Sequence, residues 1–126
     1  MFRRKKLPKN IEGDYYDSAI HVAGHPLLER DQEVLLSLNR AWMSIYDRGS
    51  SELITRLDVN ELDKFQTVSY DDQRVPYVNV IDSAAQAILL TFEFEGAICT
   101  ALFRNMLDVR PIDWYQAILK ARLGKA

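Results

Sequence analysis

At 126 residues, with 48% hydrophobic and 27% charged residues, the chain has the composition of one globular domain and is too short for two comfortable ones. Its net charge of −2 conceals a division: Arg3, Arg4, Lys5, Lys6 and Lys9 put +5 on residues 1–10, Lys120, Arg122 and Lys125 put +3 at the other end, and residues 11–119 carry −10. A body that acidic repels nucleic-acid phosphates, while Cys99, the single cysteine, excludes an intrachain disulfide and favours a reducing, cytoplasmic setting.

In chain order, residues 1–10 hold too little apolar side chain to pack and are expected to form a flexible basic arm ahead of a single α+β domain over residues 11–126. No apolar stretch follows the basic start, which disfavours a secretory signal. Arg3, Arg4, Lys5 and Lys6 are the candidate hook for nucleic acid or another anionic partner, set against a plain solubilising role.

Tyr16, Ser18, Ile20 and Val22 alternate as a short edge strand or an ordered lead-in. His21 and His25 follow, in the sequence HVAGH. On a helix this spacing would turn both imidazoles to one side, as zinc sites require, but Gly24 and Pro26 break a helix here. The expectation is a turn without metal, one histidine capping or packing and the other in water.

Leu27 to Arg48 has the pattern of a long helix: Pro26 suits its first turn, Gly49 its end, and Leu28, Val34, Leu35, Leu38, Trp42, Ile45 and Tyr46 recur at steps of three and four. Glu29, Asp31 and Glu33 would then favour the helix dipole at its N-terminus. A short helix is predicted from Glu52 to Leu57 and a further turn from Asn60. Phe65 to Tyr70 alternates as a strand, and Asp71-Asp72-Gln73 forms a turn whose paired carboxylates lack a third ligand for Mg²⁺. Arg74 to Ile81 makes the next strand, confined to an edge at Pro76.

The most apolar stretch, Ala84 to Phe103, alternates in both halves about Gly96. Ile88, Leu90, Phe92 and Phe94 fall on one side and Leu89, Thr91, Glu93 and Glu95 on the other, which predicts a hairpin turning at Glu95-Gly96. A helix from Ala84 to about Leu107 is the alternative, with Ser83 and Gln86 as a capping box, but it would carry Gly96 in its interior. Glu93 and Glu95 disfavour a membrane span, where each carboxylate would cost roughly several kcal/mol. Pro111 and Gly124 bracket a C-terminal helix with Ile112, Tyr115, Ile118, Leu119 and Leu123 on its buried stripe and Trp114 beside it, as a solvent-facing contact or at the rim of the core.

The predicted architecture is α+β: an N-terminal long helix plus a short helix, an antiparallel meander of about four strands, and a C-terminal helix packed on one sheet face. No catalytic, metal or cofactor motif stands out. The expected function is therefore that of a small cytosolic, non-catalytic protein binding a partner with a basic surface. Inhibitors, immunity proteins, chaperones and phage or viral accessory factors share that description, and a second copy of the chain is a further candidate partner. Thr91, Glu93, Glu95, Trp114 and Tyr115 are the candidate contacts. One alternative is a small-molecule-binding or hydrolytic domain using His21 or His25 in a pocket between sheet and helices. The other is a nucleic-acid accessory factor using the basic arm.

Overall fold

The computed structural model describes residues 15–70, 76–79 and 85–123. The basic arm, with Arg3, Arg4, Lys5 and Lys6, and the Asp71-Asp72 turn lie outside the described residues. The strands are β1 (Tyr15–Ala23), β2 (Gln32–Asn39), β3 (Trp42–Asp47), β4 (Leu53–Asp58), β5 (Lys64–Tyr70), β6 (Pro76–Asn79), β7 (Ala87–Phe94) and β8 (Ala97–Arg104), followed by one helix, α1 (Pro111–Leu123). They form a single antiparallel sheet in the order β4-β3-β2-β1-β8-β7-β5-β6.

This overturns the predicted α+β layout, because no long N-terminal helix exists among the described residues. The segment expected to be that helix is the β2–β3 hairpin, and Glu52 to Leu57 is mostly strand β4. The reason lies in the run Val34-Leu35-Leu36-Ser37-Leu38, which satisfies a period of two as well as a helical period. Val34, Leu36 and Leu38 enter the main core with Met43 and Ile45 of β3. Leu35 packs on the opposite face with Tyr16 and Tyr46. Pairing with β1 on one side and β3 on the other therefore buries both faces, which a one-sided helical stripe could not do. The chain reverses at Arg40, a non-glycine residue at φ 57°, where no glycine or proline announces a turn. Likewise β1 is no edge strand: it sits between β2 and β8 at the centre of the sheet.

The sheet cannot be flat. Strands β4 and β5 stand six places apart in the sheet, which a flat sheet would spread over about 29 Å. Residues 59–63 bridge them, and fully extended they reach only about 20 Å. Part of that link is also shortened into a 3-10 turn at Val59–Glu61, capped by the Asp58 carboxylate, which accepts from Asn60 N. The sheet must curl until its two ends approach. Accordingly Leu57, Val59 and Leu62 join Ile88, Leu90, Phe92 and Phe103 in one core.

Helix α1 fills the concave side. Trp114, Ala117 and Ile118 are its buried residues in that core, Ile112 is buried in its first turn, Tyr115 packs on the Phe65 ring, and Leu119 is exposed. Trp114 is 0% exposed, so the solvent-facing tryptophan is corrected: the buried stripe is rotated towards the largest side chain. A helix lying inside a curved sheet is covered over a wider arc than one resting on a flat sheet, and its bulkiest residue takes the deepest place. Arg122 ties the last turn down, donating to Leu62 O at 3.0 Å and lying over the Phe65 ring. The β7–β8 hairpin forms as the alternation predicts, with Glu95 at φ 51° and Gly96 at φ 86° in its two-residue turn.

Candidate functional site

The β1–β8 ladder ends at Ala23 and Leu102, with β1 heading towards the end of the sheet where β7 and β8 turn. Residues 24–31, which join β1 to β2, continue from there against β8 at Thr100, reach Phe94 beside the turn through His25, and return to Val22 through Asp31. Three features hold them there. Gly24 approaches β8 so closely that a Cβ would stand 1.8 Å from the Thr100 carbonyl oxygen. Leu28 enters the main core. His25 lies against Phe92 and Phe94, with ring centroids 5.0 and 5.5 Å away.

The histidines organise this loop from inside. His21 Nε2 accepts from His25 N at 3.0 Å, so its proton is on Nδ1, which donates to Glu29 O at 2.8 Å. His25 Nδ1 accepts from Leu27 N at 3.1 Å, leaving the proton on Nε2, which has no hydrogen-bond partner among the described residues. Each lone pair is thus occupied by a backbone N–H. Both rings are buried, which corrects the expectation that one would be wet. Neither ring is hydrogen-bonded to a carboxylate that could orient it as an acid–base group, and no group of three or more His, Cys, Asp or Glu gathers as a metal site among the described residues.

Burial sets their ionisation. It pushes His25 down to about 4, with the neighbouring His21 adding to the effect, and it lowers His21 as well, against the Glu29 hydrogen bond and the Asp31 charge. A histidine at 6.5 when unfolded and about 4 when folded contributes stability that is complete above pH 6.5 and lost as pH falls towards 4. Folding free energy is therefore expected to drop by about 2 kcal/mol between pH 7 and pH 5 for His25 alone, with His21 acting in the same direction. Asp47, held low chiefly by Ser50 N, and Asp113, held low chiefly by Arg110, lose their contributions only below the ordinary carboxylate range. Urea titrations at pH 7, 6 and 5 measure the effect; a flat profile would show that neither histidine is kept neutral.

The outer side of this end is acidic. Glu29, Asp31 and Glu33 from the loop and the start of β2, with Glu93 and Glu95 from the hairpin, are all exposed, and Arg30 is the basic residue among them. Lys64, paired with Thr91 two residues before Glu93, and Arg48, whose N–H bonds Glu33 O, are exposed basic neighbours of these acids. Two aliphatic side chains are exposed here, Leu27 at 50%, two residues before Glu29, and Ile98 at 63%, paired with Glu93 across the hairpin. Of the contacts predicted from sequence, Glu93 and Glu95 belong to this rim. Thr91 does not: it is buried, its hydroxyl bonded to that of Thr100 at 3.3 Å. Trp114 and Tyr115 are committed to the interior packing of α1.

Leu27, the loop acids Glu29 and Asp31, and Glu33 of β2 escaped sequence reasoning because a helix from Leu27 would have used those acids at its N-terminus. The signal that could have found them was Gly24 and Pro26 extended forward as a loop. A second missed residue is Asp17, 0% exposed on the inner side of β1. It accepts from the backbone N–H groups of Ser18 at 2.8 Å, Leu107 at 3.3 Å, Asp108 at 2.8 Å and Val109 at 2.7 Å. No pattern in the sequence marks it.

The class these features define is a curled antiparallel sheet wrapped on a C-terminal helix, with an acidic rim at one end. A scan against protein-family models finds no family that matches this chain, and a search of curated proteins finds no similar sequence. Among the described residues no helix is long and apolar enough to cross a membrane.

Proposed function

We propose that this is a small cytosolic, non-catalytic binding protein whose rim of loop and hairpin takes a basic segment of another protein. The observation that carries the reading is exposed Ile98 paired with exposed Glu93 on the hairpin beside Glu95, with Leu27 exposed two residues before Glu29 on the neighbouring loop. Exposed aliphatic groups beside carboxylates suit a segment that pairs lysines or arginines with leucine-like side chains. The carboxylates would steer the encounter and the aliphatic groups would supply desolvated contact. The rim is also preformed, since Gly24, His25 and Leu28 anchor the loop to the sheet, which limits the ordering cost of binding. The cytosolic placement rests on the lone cysteine, Cys99, left as a free thiol.

The test uses two synthetic peptides of equal length and leucine content, one lysine-rich and one glutamate-rich, with binding followed by fluorescence anisotropy. The lysine-rich peptide is expected to bind and to weaken as salt is raised. Double charge reversal, Glu93→Lys with Glu95→Lys, should cost about 1 kcal/mol per charge, a loss of roughly tenfold or more in affinity. Equal binding of both peptides, or no response to the reversal, rejects the rim as the docking surface.

A further inference from the structure

We propose that residues 24–31 form a proton-operated latch: the loop closes only while His21 Nε2 and His25 Nδ1 are free to accept backbone N–H groups, and protonation of those nitrogens in mildly acidic solution releases it. This regulates the same rim and rests on the docking reading for its purpose, though not for its operation.

The geometry makes closure and protonation mutually exclusive. A proton on His25 Nδ1 would confront Leu27 N–H at 3.1 Å, and a proton on His21 Nε2 would confront His25 N–H at 3.0 Å. Both acceptors serve amides of the same short loop, so each proton removes a bond that shapes it. The two rings also stand in series, since His21 receives the amide of His25 itself. The charge on one imidazolium would act directly on the other.

The surroundings offer little relief. From β7, Phe92 and Phe94 face His25; from β8, Phe103 faces His21, with ring centroids 5.4 Å apart. From the loop come the Glu29 carbonyl, already bonded to His21 Nδ1, and the charge of Asp31, which favours the protonated form of His21 but is outweighed by burial. No carboxylate is bonded to either ring among the described residues. The rest of the loop is held by few bonds: Leu28 N to His25 O, Asp31 N to Val22 O, Gln32 N to Glu29 O and Glu29 N to Gln32 Oε1. Once open, both imidazoles reach water and ionise, and Leu27 leaves the rim while Glu93, Glu95 and Ile98 stay on the hairpin.

Amide hydrogen exchange of the full chain, corrected for intrinsic rates, tests this without any partner. Exchange at His25 and Leu27 is expected to rise about 20-fold from pH 7 to pH 5, the ratio that a shift from 6.5 to about 4 imposes on opening. Protection in β7, β8 and α1 should fall with the global stability over the same range but stay well above that of His25 and Leu27 at every pH. Exchange at these two amides that ignores pH overturns the latch, as does exchange no faster than that of β7, β8 and α1, which would be global unfolding. His25→Phe keeps an aromatic ring beside Phe92 and Phe94, and opening is expected to lose most of its pH response. If that variant does not fold, the wild-type exchange decides alone. Peptide binding at pH 7.5 separates the two claims: a chain that shows the exchange change but binds no basic peptide retains the latch and loses the docking surface.

Discussion

Asp17→Ala is expected to destabilise the fold by about 3–5 kcal/mol, because it removes a buried carboxylate and strands the amides bonded to it. Asp17 stands on a central strand and holds three successive N–H groups, of Leu107, Asp108 and Val109, in the connection between β8 and α1. Nothing else in that connection could replace it, since those amides point at one side chain. The connection then passes into α1 at Pro111, where Asp113 N and Trp114 N both bond Arg110 O and the Arg110 guanidinium pairs with the Asp113 carboxylate. Loosening residues 107–109 thus loosens the angle at which the helix enters the curled sheet and seats Trp114. Asp17→Asn should be milder, about 2 kcal/mol, since one oxygen remains while the amide NH₂ faces backbone donors. Urea unfolding followed by tryptophan fluorescence measures both. A loss under about 1 kcal/mol for the alanine variant would mean the carboxylate is dispensable.

Gly24→Ala is expected to cost more than 3 kcal/mol, or to dislodge the loop altogether, for a reason that side-chain repacking cannot relieve. The added Cβ would lie 1.8 Å from Thr100 O, 2.6 Å from Thr100 C and 2.8 Å from Ala101 Cα, all backbone of β8. At φ 117° the position is also strained for any residue with a Cβ. The close approach follows from an irregularity in the β1–β8 ladder, where His21 pairs with Phe103 and Ala23 with Leu102, so that β1 carries one residue more than its partner. The extra residue swings the chain onto β8 and turns His25 inward. Gly96→Ala supplies the control: Gly96 has positive φ but nothing within 4 Å, so only the backbone strain of about 1 kcal/mol is expected. Thermal unfolding of the two variants side by side checks the contrast, and equal losses would refute the steric account.

The candidate rim was half legible in the sequence. Glu93 and Glu95 could be placed on the solvent side of a hairpin because alternation over Ile88 to Phe94 is a local property. Leu27 and the loop acids could not, since nothing within Leu27 to Arg48 distinguishes a helix from two strands until β1 is present to pair. For Trp114 the stripe of an isolated helix left an exposed contact and a core-rim position open, and the curled sheet buries it fully.

What the sequence by itself determined are the elements whose signals are short-range: the turn at Glu95-Gly96, the strand ending at Tyr70, and the helix opened by Pro111. Tertiary structure decided everything that depends on what lies across the sheet. It made strands of residues 32–58, curled the sheet through the short link at residues 59–63, buried His21 and His25, and gave Asp17 its four donors. The physical reason is the same in each case: a leucine, a histidine or an aspartate is compatible with several environments, and only the partner brought by distant pairing selects one.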